Sequence, residues 1–205
     1  MKNLFTTCII TFGTLFSATS QVEESSIIID TYYGFPNLYT SVLRTGYDTE
    51  TNDEFKITGY GPVGLRGEYM FHDKMGVGID FMINTSKVSY NYASVSPTGS
   101  PAVYTDEVST TKIGVMATFS YHFVSTDRID FFGVVGAGFK NRSWRYSSNN
   151  PSLLTDDLAL SSTLIPIAGR IGVGTRIFFT DNLAANIGLG FGQGGILNAG
   201  LSLAL

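Results

Sequence analysis

Residues 165–179 read IPIAGRIGVGTRIFF, an apolar stretch that contains two arginines and three glycines. Alternate side chains of a β-strand point to opposite faces, so this segment divides into an aliphatic face and a face of small and cationic residues. Arg170 and Arg176 fall on the second face together with Gly172 and Gly174. Soluble cores rarely bury arginine without partners. The alternation therefore favours a strand with one apolar face and one face turned to a confined polar interior.

The same two-face pattern recurs in eight segments. They span residues 27–43, 55–71, 75–92, 110–123, 129–146, 163–179, 183–191 and 196–205. Charged residues fall opposite the aliphatic ones, as a lipid-facing exterior and a polar interior require. In the second segment, the polar face is predicted to hold Lys56, Thr58, Arg66 and Glu68, opposite Ile57, Val63 and Leu65.

The connections between these segments alternate in length. HDK, VSTDR and TDN are short and have the composition of tight turns, whereas RTGYDTETNDE, ASVSPTGSPAVYTDEVST and SSNNPSLLTDDLALSS are long and polar; the last connection, GQGG, is short. Aromatic residues gather near both ends of the segments, as in the two interfacial girdles of a membrane barrel, although strands in general favour aromatics. The pattern predicts an all-β fold, an eight-stranded antiparallel up-and-down transmembrane β-barrel.

Residues 183–205 contain no charged side chain, which raises the alternative of a transmembrane helix. Six glycines argue against it, because each costs about 1 kcal/mol relative to alanine inside a helix. The apolar residues also alternate cleanly on both sides of GQGG. Two strands joined by a turn are therefore the better interpretation, and unpaired backbone groups in lipid would then require the barrel to close.

The N-terminus has the features of a secretory signal peptide: Lys2, a short apolar core and the small residues Ala18, Thr19 and Ser20. We expect a cleaved signal peptide over residues 1–20 and one barrel domain over 21–205. Cleavage would remove Cys8, the only cysteine. The chain has 17 acidic and 13 basic residues and no basic cluster, which argues against nucleic acid as a partner.

With these features, the chain resembles the small eight-stranded outer-membrane β-barrel proteins of Gram-negative bacteria, in the porin-like outer membrane protein beta-barrel family. Its C-terminus, NAGLSLAL, is similar to the barrel-assembly signal of that class, with Asn198, Gly200, Leu203 and Leu205 at the matching positions. The resemblance implies location in the outer membrane. It also implies contact with membrane lipid and lipopolysaccharide, recognition by the barrel-assembly machinery, and a monomeric state.

Eight strands enclose an interior that side chains just fill. The residues predicted to point into it are Asp30, Arg66, Glu68, Asp80, Lys112, His122, Arg170 and Arg176. Cations and carboxylates could pair there, which would account for the arginines of residues 165–179. Such a network either plugs the barrel or lines an ion path.

These observations predict a non-enzymatic protein with a structural or surface-interaction role through its extracellular loops, including binding of a partner protein by a loop. The alternatives are a narrow porin-like channel, a lipid-modifying enzyme that uses His122 and Ser120, and a soluble exported barrel that carries an apolar ligand. We predict no catalytic or cofactor site, and no metal site either, since the only histidines, His72 and His122, give no metal-ligand spacing. The acidic first and third loops could bind divalent cations or a partner, or simply be solvated. Their acidic residues are Asp48, Glu50, Asp53, Glu54, Asp156 and Asp157.

Overall fold

The computed structural model describes residues 22–46, 55–151, 158–161 and 166–205. The predicted signal peptide and all six of the predicted acidic loop residues lie outside them. The elements are β1 (Ile27–Phe35), α1 (Leu38–Gly46), β2 (Phe55–His72), β3 (Met75–Val95), β4 (Pro101–Ser125), β5 (Ile129–Ser148), β6 (Leu158–Ser161), β7 (Ile167–Phe178), β8 (Leu183–Gly192) and β9 (Leu197–Ala204). β6 and β7 pair one after the other with β5, so the nine strand segments fill eight positions.

The strands close into a ring. All pairings are antiparallel: β1 to β5 pair in chain order, β5 pairs with β6 and β7, β7 pairs with β8, β8 pairs with β9, and β9 pairs with β1. Ile29, for example, faces Gly67 on one side and Leu203 on the other. In the described part of the chain, the closed ring leaves no sheet edge along the wall, so the backbone groups there bond within the protein. The predicted eight-stranded antiparallel up-and-down barrel is confirmed.

The polarity of the barrel is the reverse of that in a soluble protein. Ile79 and Ile171 point outward and are 63% and 62% exposed, whereas Asp80 and Arg176 point inward and are fully buried. Every position in the ring contributes to an apolar band on the outside, which includes Ile27, Leu65, Phe81, Val115, Val135, Ile171, Leu189 and Leu201. Such a band is stable against lipid rather than water, so the barrel is a transmembrane one. This polarity is opposite to what the soluble carrier predicts.

The first predicted strand is too long, because a helix replaces its second half. β1 ends at Phe35, and α1 begins at Leu38 instead of the strand continuing to residue 43. Asn37 caps the helix: its side-chain oxygen accepts a hydrogen bond from the N–H of Thr40 at 3.3 Å. No helix in the described ranges is long and apolar enough to cross a bilayer.

The second predicted loop, residues 93–110, is mostly strand. β3 continues to Val95 and β4 begins at Pro101, so the connection shrinks to a turn over residues 96–100. Gly99 closes this turn with a φ of +82°, a conformation that favours glycine, and its N–H bonds to the Ser96 carbonyl at 2.8 Å. β3 and β4 therefore form a hairpin that extends well beyond the apolar band.

A β-bulge in β2 reverses the predicted faces of its first residues. Tyr60 pairs with Thr85 and Val63 with Ile83, so β2 advances by three residues where β3 advances by two. Ile57 consequently lies inside and is 5% exposed, while Lys56 is exposed on the outer side. The prediction that Lys56 and Thr58 share a face with Arg66 is wrong for this reason.

Candidate functional site

Arg176 lies at the centre of the lower barrel interior, toward the short turns. Its Nε and Nη2 donate to Oδ1 and Oδ2 of Asp30 at 3.0 and 2.8 Å. Nη2 also donates to Glu68 at 2.7 Å, and Nη1 donates to Asp130 at 2.7 Å. The ring of Phe132 lies 4.1 Å from the guanidinium carbon. Charge-assisted hydrogen bonds to three carboxylates thus compensate a cation that is removed from water.

His122 joins two of these carboxylates. Its Nδ1 is 2.7 Å from Asp130 and its Nε2 is 3.3 Å from Glu68. Ionised carboxylates only accept hydrogen bonds, so the imidazole can donate to both of them only as an imidazolium. Arg176, His122 and their partners form one hydrogen-bonded unit built from β1, β2, β4, β5 and β7.

A second layer of charges lies above the first. Arg66 donates to Asp80 through Nη2 at 3.1 Å, and the hydroxyl of Tyr32 donates to the same carboxylate at 2.7 Å. Nη1 of Arg66 is 3.7 Å from Asp30, which connects the two layers. We call the two layers together the interior network; its members are Asp30, Tyr32, Arg66, Glu68, Asp80, His122, Asp130 and Arg176.

The turn between β8 and β9 folds back into the barrel above the interior network. Gly194 and Gly195 have φ values of +98° and +84°, which allow the chain to reverse at this point. The carbonyl of Gln193 accepts a hydrogen bond from Nη1 of Arg170 at 2.6 Å. The Gln193 side chain is 3% exposed and lies against Gly114 of β4, where a larger residue would collide with its amide. The turn therefore crosses the lumen.

The space between the described side chains at the level of Arg66 and Arg170 is very small. A cavity of about 10 Å³ lies there, with Asp30, Tyr32, Arg66, Arg170 and Asn198 among its lining residues. That volume is roughly what one water molecule needs. The described side chains therefore nearly fill the interior at this level.

α1 covers the mouth of the barrel above the turn. Thr40 of the helix is 5% exposed, and its hydroxyl is 2.9 Å from that of Ser86 on β3. On the other side of the lumen, the rings of Tyr39 and Trp144 of β5 are 5.8 Å apart, and the guanidinium carbon of Arg142 is 4.9 Å from the Tyr39 ring. The helix thus contacts both walls.

The structure places the predicted interior residues at two levels. Seven of them are buried, and each of the seven is at most 6% exposed: Asp30, Arg66, Glu68, Asp80, His122, Arg170 and Arg176. Lys112 differs: it is half-buried above them, paired in register with Asn84 and Arg142, and contacts none of the network carboxylates. Its pairing with an interior acid is therefore not found.

Sequence reasoning missed three members of this interior. Asp130 is fully buried and bonds to both Arg176 and His122. Its position two residues before Phe132, in the inward register of β5, is the signal that could have identified it. Tyr32 could have been found by the same alternation from Asp30. Gln193 could not, because nothing in GQGG indicates that a turn enters the lumen.

The C-terminal residues of the predicted assembly signal have packing roles in the folded barrel. Asn198 is 8% exposed and faces the interior cavity. Gly200 lies in the seam with β1, where a Cβ atom would overlap the backbone of Thr31. Leu203 and Leu205 belong to the register of the outer face. Recognition of these residues by the assembly machinery remains a prediction.

The arrangement of His122 and Ser120 differs from that of a nucleophile and its base. Both side chains are 1% exposed inside the barrel, and both imidazole nitrogens face carboxylates rather than Ser120. A lipid acyl chain on the outer face would be separated from them by the barrel wall. In the described ranges, no group of three or more His, Cys, Asp and Glu side chains has the geometry to hold a metal ion.

Comparison with known proteins gives similarity in structure only. No protein-family model matches the chain, and no curated protein matches it in sequence. The N-terminal β-barrel domain of OprF from Pseudomonas aeruginosa is similar with a TM-score of 0.45 and 13% identity, covering 89% of this chain and 99% of that one.

Two other solved structures have comparable scores. Ail of Yersinia pestis, in complex with the heparin analogue sucrose octasulfate, has a TM-score of 0.42 and 13% identity over 89% of this chain and 95% of that one. OprG from Pseudomonas aeruginosa has a TM-score of 0.42 and 11% identity over 89% of this chain and 97% of that one. Since all three scores are below 0.5, the fold assignment depends on strand pairing and the membrane assignment on the apolar band.

Proposed function

We propose that this protein is a non-enzymatic, monomeric barrel of the outer membrane of a Gram-negative bacterium, and that it acts through its surface rather than by transport. The apolar band and the closed ring support the membrane location. Barrels with short turns at one end and longer connections at the other are typical of outer membranes, with the longer connections outside the cell.

The filled interior is the observation that carries this proposal. Three parts of the structure fill it one above the other: the interior network, the Gln193 turn and α1. A solute would have to displace all three, and moving Arg176 away from its carboxylates would expose several buried charges at once. A role outside the lumen therefore fits the geometry better than the narrow channel.

The β3–β4 hairpin is the best-defined part of the surface that such a role would use. Rings of Tyr90, Tyr92 and Tyr104 follow one another along its inner side, with centroid distances of 6.0 Å at each step, and Tyr104 is only 6% exposed. Asn150 donates to the Tyr92 hydroxyl at 3.0 Å and ties the hairpin to the end of β5. Near its tip, Val95 and Val103 are 64% and 69% exposed. A projecting hairpin that is braced by stacked tyrosines on its inner side and exposes apolar side chains near its tip suits contact with a protein or an extracellular surface.

Two experiments test the proposal. First, expression with the native N-terminus in a Gram-negative host should give a protein in the outer-membrane fraction that migrates differently in gels before and after boiling. Second, the purified protein in planar bilayers should show no steady unit conductance. A reproducible conductance would instead support the narrow channel, and loss of lipid A remodelling in a His122→Ala variant would support the lipid-modifying enzyme.

A further inference from the structure

The outer wall of β2 to β5 changes character just above the apolar band. Val63, Ile83 and Ile113 lie at the upper margin of the apolar band on their strands, and two rows of hydroxyl and basic residues follow. The lower row, in register across four strands, is Tyr60, Thr85, Thr111 and Ser143. The upper row is Thr58, Lys87, Ser109 and Arg145. We call these eight residues the hydroxyl belt.

The two cations of the belt flank one hydroxyl. Ser109 pairs in register with Lys87 on one neighbouring strand and with Arg145 on the other. Adjacent strands are about 4.8 Å apart, so the backbone positions of the two cations are separated by roughly 10 Å with Ser109 between them. Their long side chains can converge on one anionic group from both sides.

Two neighbouring grooves lie along the belt. One has a volume of about 510 Å³ and includes Thr58, Thr85 and Lys87 in its lining. The other has a volume of about 280 Å³ and includes Ser143 and Arg145. Because Ser109 and Thr111 line both grooves, the belt is one continuous surface of hydroxyl donors with a cation in each half.

The residue types of the belt and its position directly above the apolar band favour one class of ligand. Lysine and arginine bind phosphate oxygens, and serine and threonine hydroxyls bond equally to phosphates and to sugar hydroxyls. The apolar band continues directly beneath the belt through Ile83 and Ile113, and it requires acyl chains. A lipid with a phosphorylated saccharide headgroup matches both parts, whereas a soluble anion would match the belt alone.

We propose that the hydroxyl belt is a binding site for the phosphorylated saccharide headgroup of a glycolipid in the surrounding leaflet. Lys87 and Arg145 hold phosphate groups, Ser109 and Thr111 hold sugar or phosphate oxygens, and the acyl chains lie against Ile83 and Ile113. This site is independent of the closed interior, so the conductance experiment does not bear on it.

Glu107 weakens the binding of an anion at Lys87, in one half of the site. Its carboxylate forms an ion pair with the ammonium group of Lys87 and is 30% exposed. A lipid phosphate would compete with this carboxylate for Lys87. Removal of the carboxylate should therefore strengthen binding, an effect opposite in sign to removal of the cations.

The test uses the full-length protein in detergent micelles and native mass spectrometry. Phosphorylated lipid A and chemically dephosphorylated lipid A are supplied in equal amounts, and the bound ratio is read in one sample. We expect the unchanged protein to prefer the phosphorylated form and a Lys87→Ser/Arg145→Ser variant to lose on the order of tenfold in that ratio. Glu107→Gln should raise the ratio.

A matched control removes the same two types of charge at the other rim of the barrel. Lys74 and Arg128 are exposed next to the short turns, and Lys74→Ser/Arg128→Ser should leave the ratio unchanged. An equal loss in this control would overturn the proposal, because net charge rather than the belt would then govern binding. All variants are compared only as heat-modifiable, folded protein.

A further arm adds inorganic phosphate at millimolar concentration. If the belt recognises a lipid headgroup, free phosphate should not displace the phosphorylated lipid. Displacement with the same dependence on Lys87 and Arg145 would show a general anion site and overturn the lipid assignment. No preference between the two forms of lipid A in the unchanged protein would overturn it as well.

Discussion

Asp30 of β1 and Arg176 of β7 are 146 positions apart in the chain, yet two hydrogen bonds of 3.0 and 2.8 Å join their side chains in the barrel interior. Ser202 of β9 also donates to Oδ1 of Asp30, at 2.6 Å. Asp30 therefore connects its neighbour β9 to β7, which lies three strands away from β1 in the ring. We expect the contact to stiffen the barrel in cross-section, since β1 and β7 cannot move apart without separating buried charges.

Replacing Arg176 by methionine should lower the free energy of unfolding by about 3–5 kcal/mol, because Asp30, Glu68 and Asp130 would lose their shared cation. The measurement is equilibrium unfolding by urea in detergent micelles. Arg128→Met, at an exposed position, is the control and should change stability little. Equal losses in the two variants would show that the interior network does not hold the barrel together.

Gly200→Ala should destabilise the barrel by about 1–3 kcal/mol, because the new methyl group would overlap the Thr31 backbone in the β1–β9 seam. Gly67→Ala is the matched control, since a methyl group there meets no other atom within 4 Å. The measurement is the folded fraction after refolding from urea into micelles, without assembly machinery. If Gly200→Ala refolds normally in this assay but fails to assemble in cells, its role lies in the assembly signal instead.

Ile57→Ala should cost about 2–4 kcal/mol of unfolding free energy, whereas Lys56→Ala should be nearly neutral. The difference follows from the bulge, which places Ile57 inside and Lys56 outside. The measurement is the temperature at which each variant loses the gel band of the folded protein. The reverse order of stability would show that the register of β2 is uninterrupted.

Val115→Lys should destabilise the protein in lipid bilayers by about 2–4 kcal/mol, while Val103→Lys should cost at most about 1 kcal/mol. Both valines are exposed on β4, at 47% and 69%, but only Val115 lies in the apolar band. Unfolding by guanidinium from phospholipid vesicles compares them. Similar costs would mean that the β3–β4 hairpin tip is also in contact with lipid.

The alternation of side chains was enough to predict the strands, the ring and the inward set because a β-strand has a strict period of two. Each strand that runs without a bulge through the apolar band, such as β7 with Arg170 and Arg176, could be assigned from its sequence alone. The prediction was wrong for Lys56 because one extra residue at a bulge reverses every face on one side of it. Gly61 and Pro62 in GYGPVG are residue types found at bulges, but they do not indicate by how many residues the register shifts.

The sequence prediction misses α1 and the projecting part of the β3–β4 hairpin for a different reason. Residues 38–46 lie in a helix because Asn37 caps it and because Thr40 packs against Ser86, which is 46 positions away. Residues 101–110 were assigned to a loop for their polarity, although threonine, valine and tyrosine favour strands. Long-range packing decided the first case, and pairing with β3 decided the second.

Closure through β1 and β9 has a consequence for the order of events in folding. β1 precedes the other strands in the chain, yet one of its two edges is paired only by β9, the last strand in the sequence. Until β9 is in place, that edge exposes the backbone groups of residues 28–35, and Asp30 lacks its bond from Ser202. β1 is synthesised first, but its second edge stays unpaired until β9 has been synthesised and has paired with it. A protein that covers this edge of β1 in the interval would act as a chaperone for this fold.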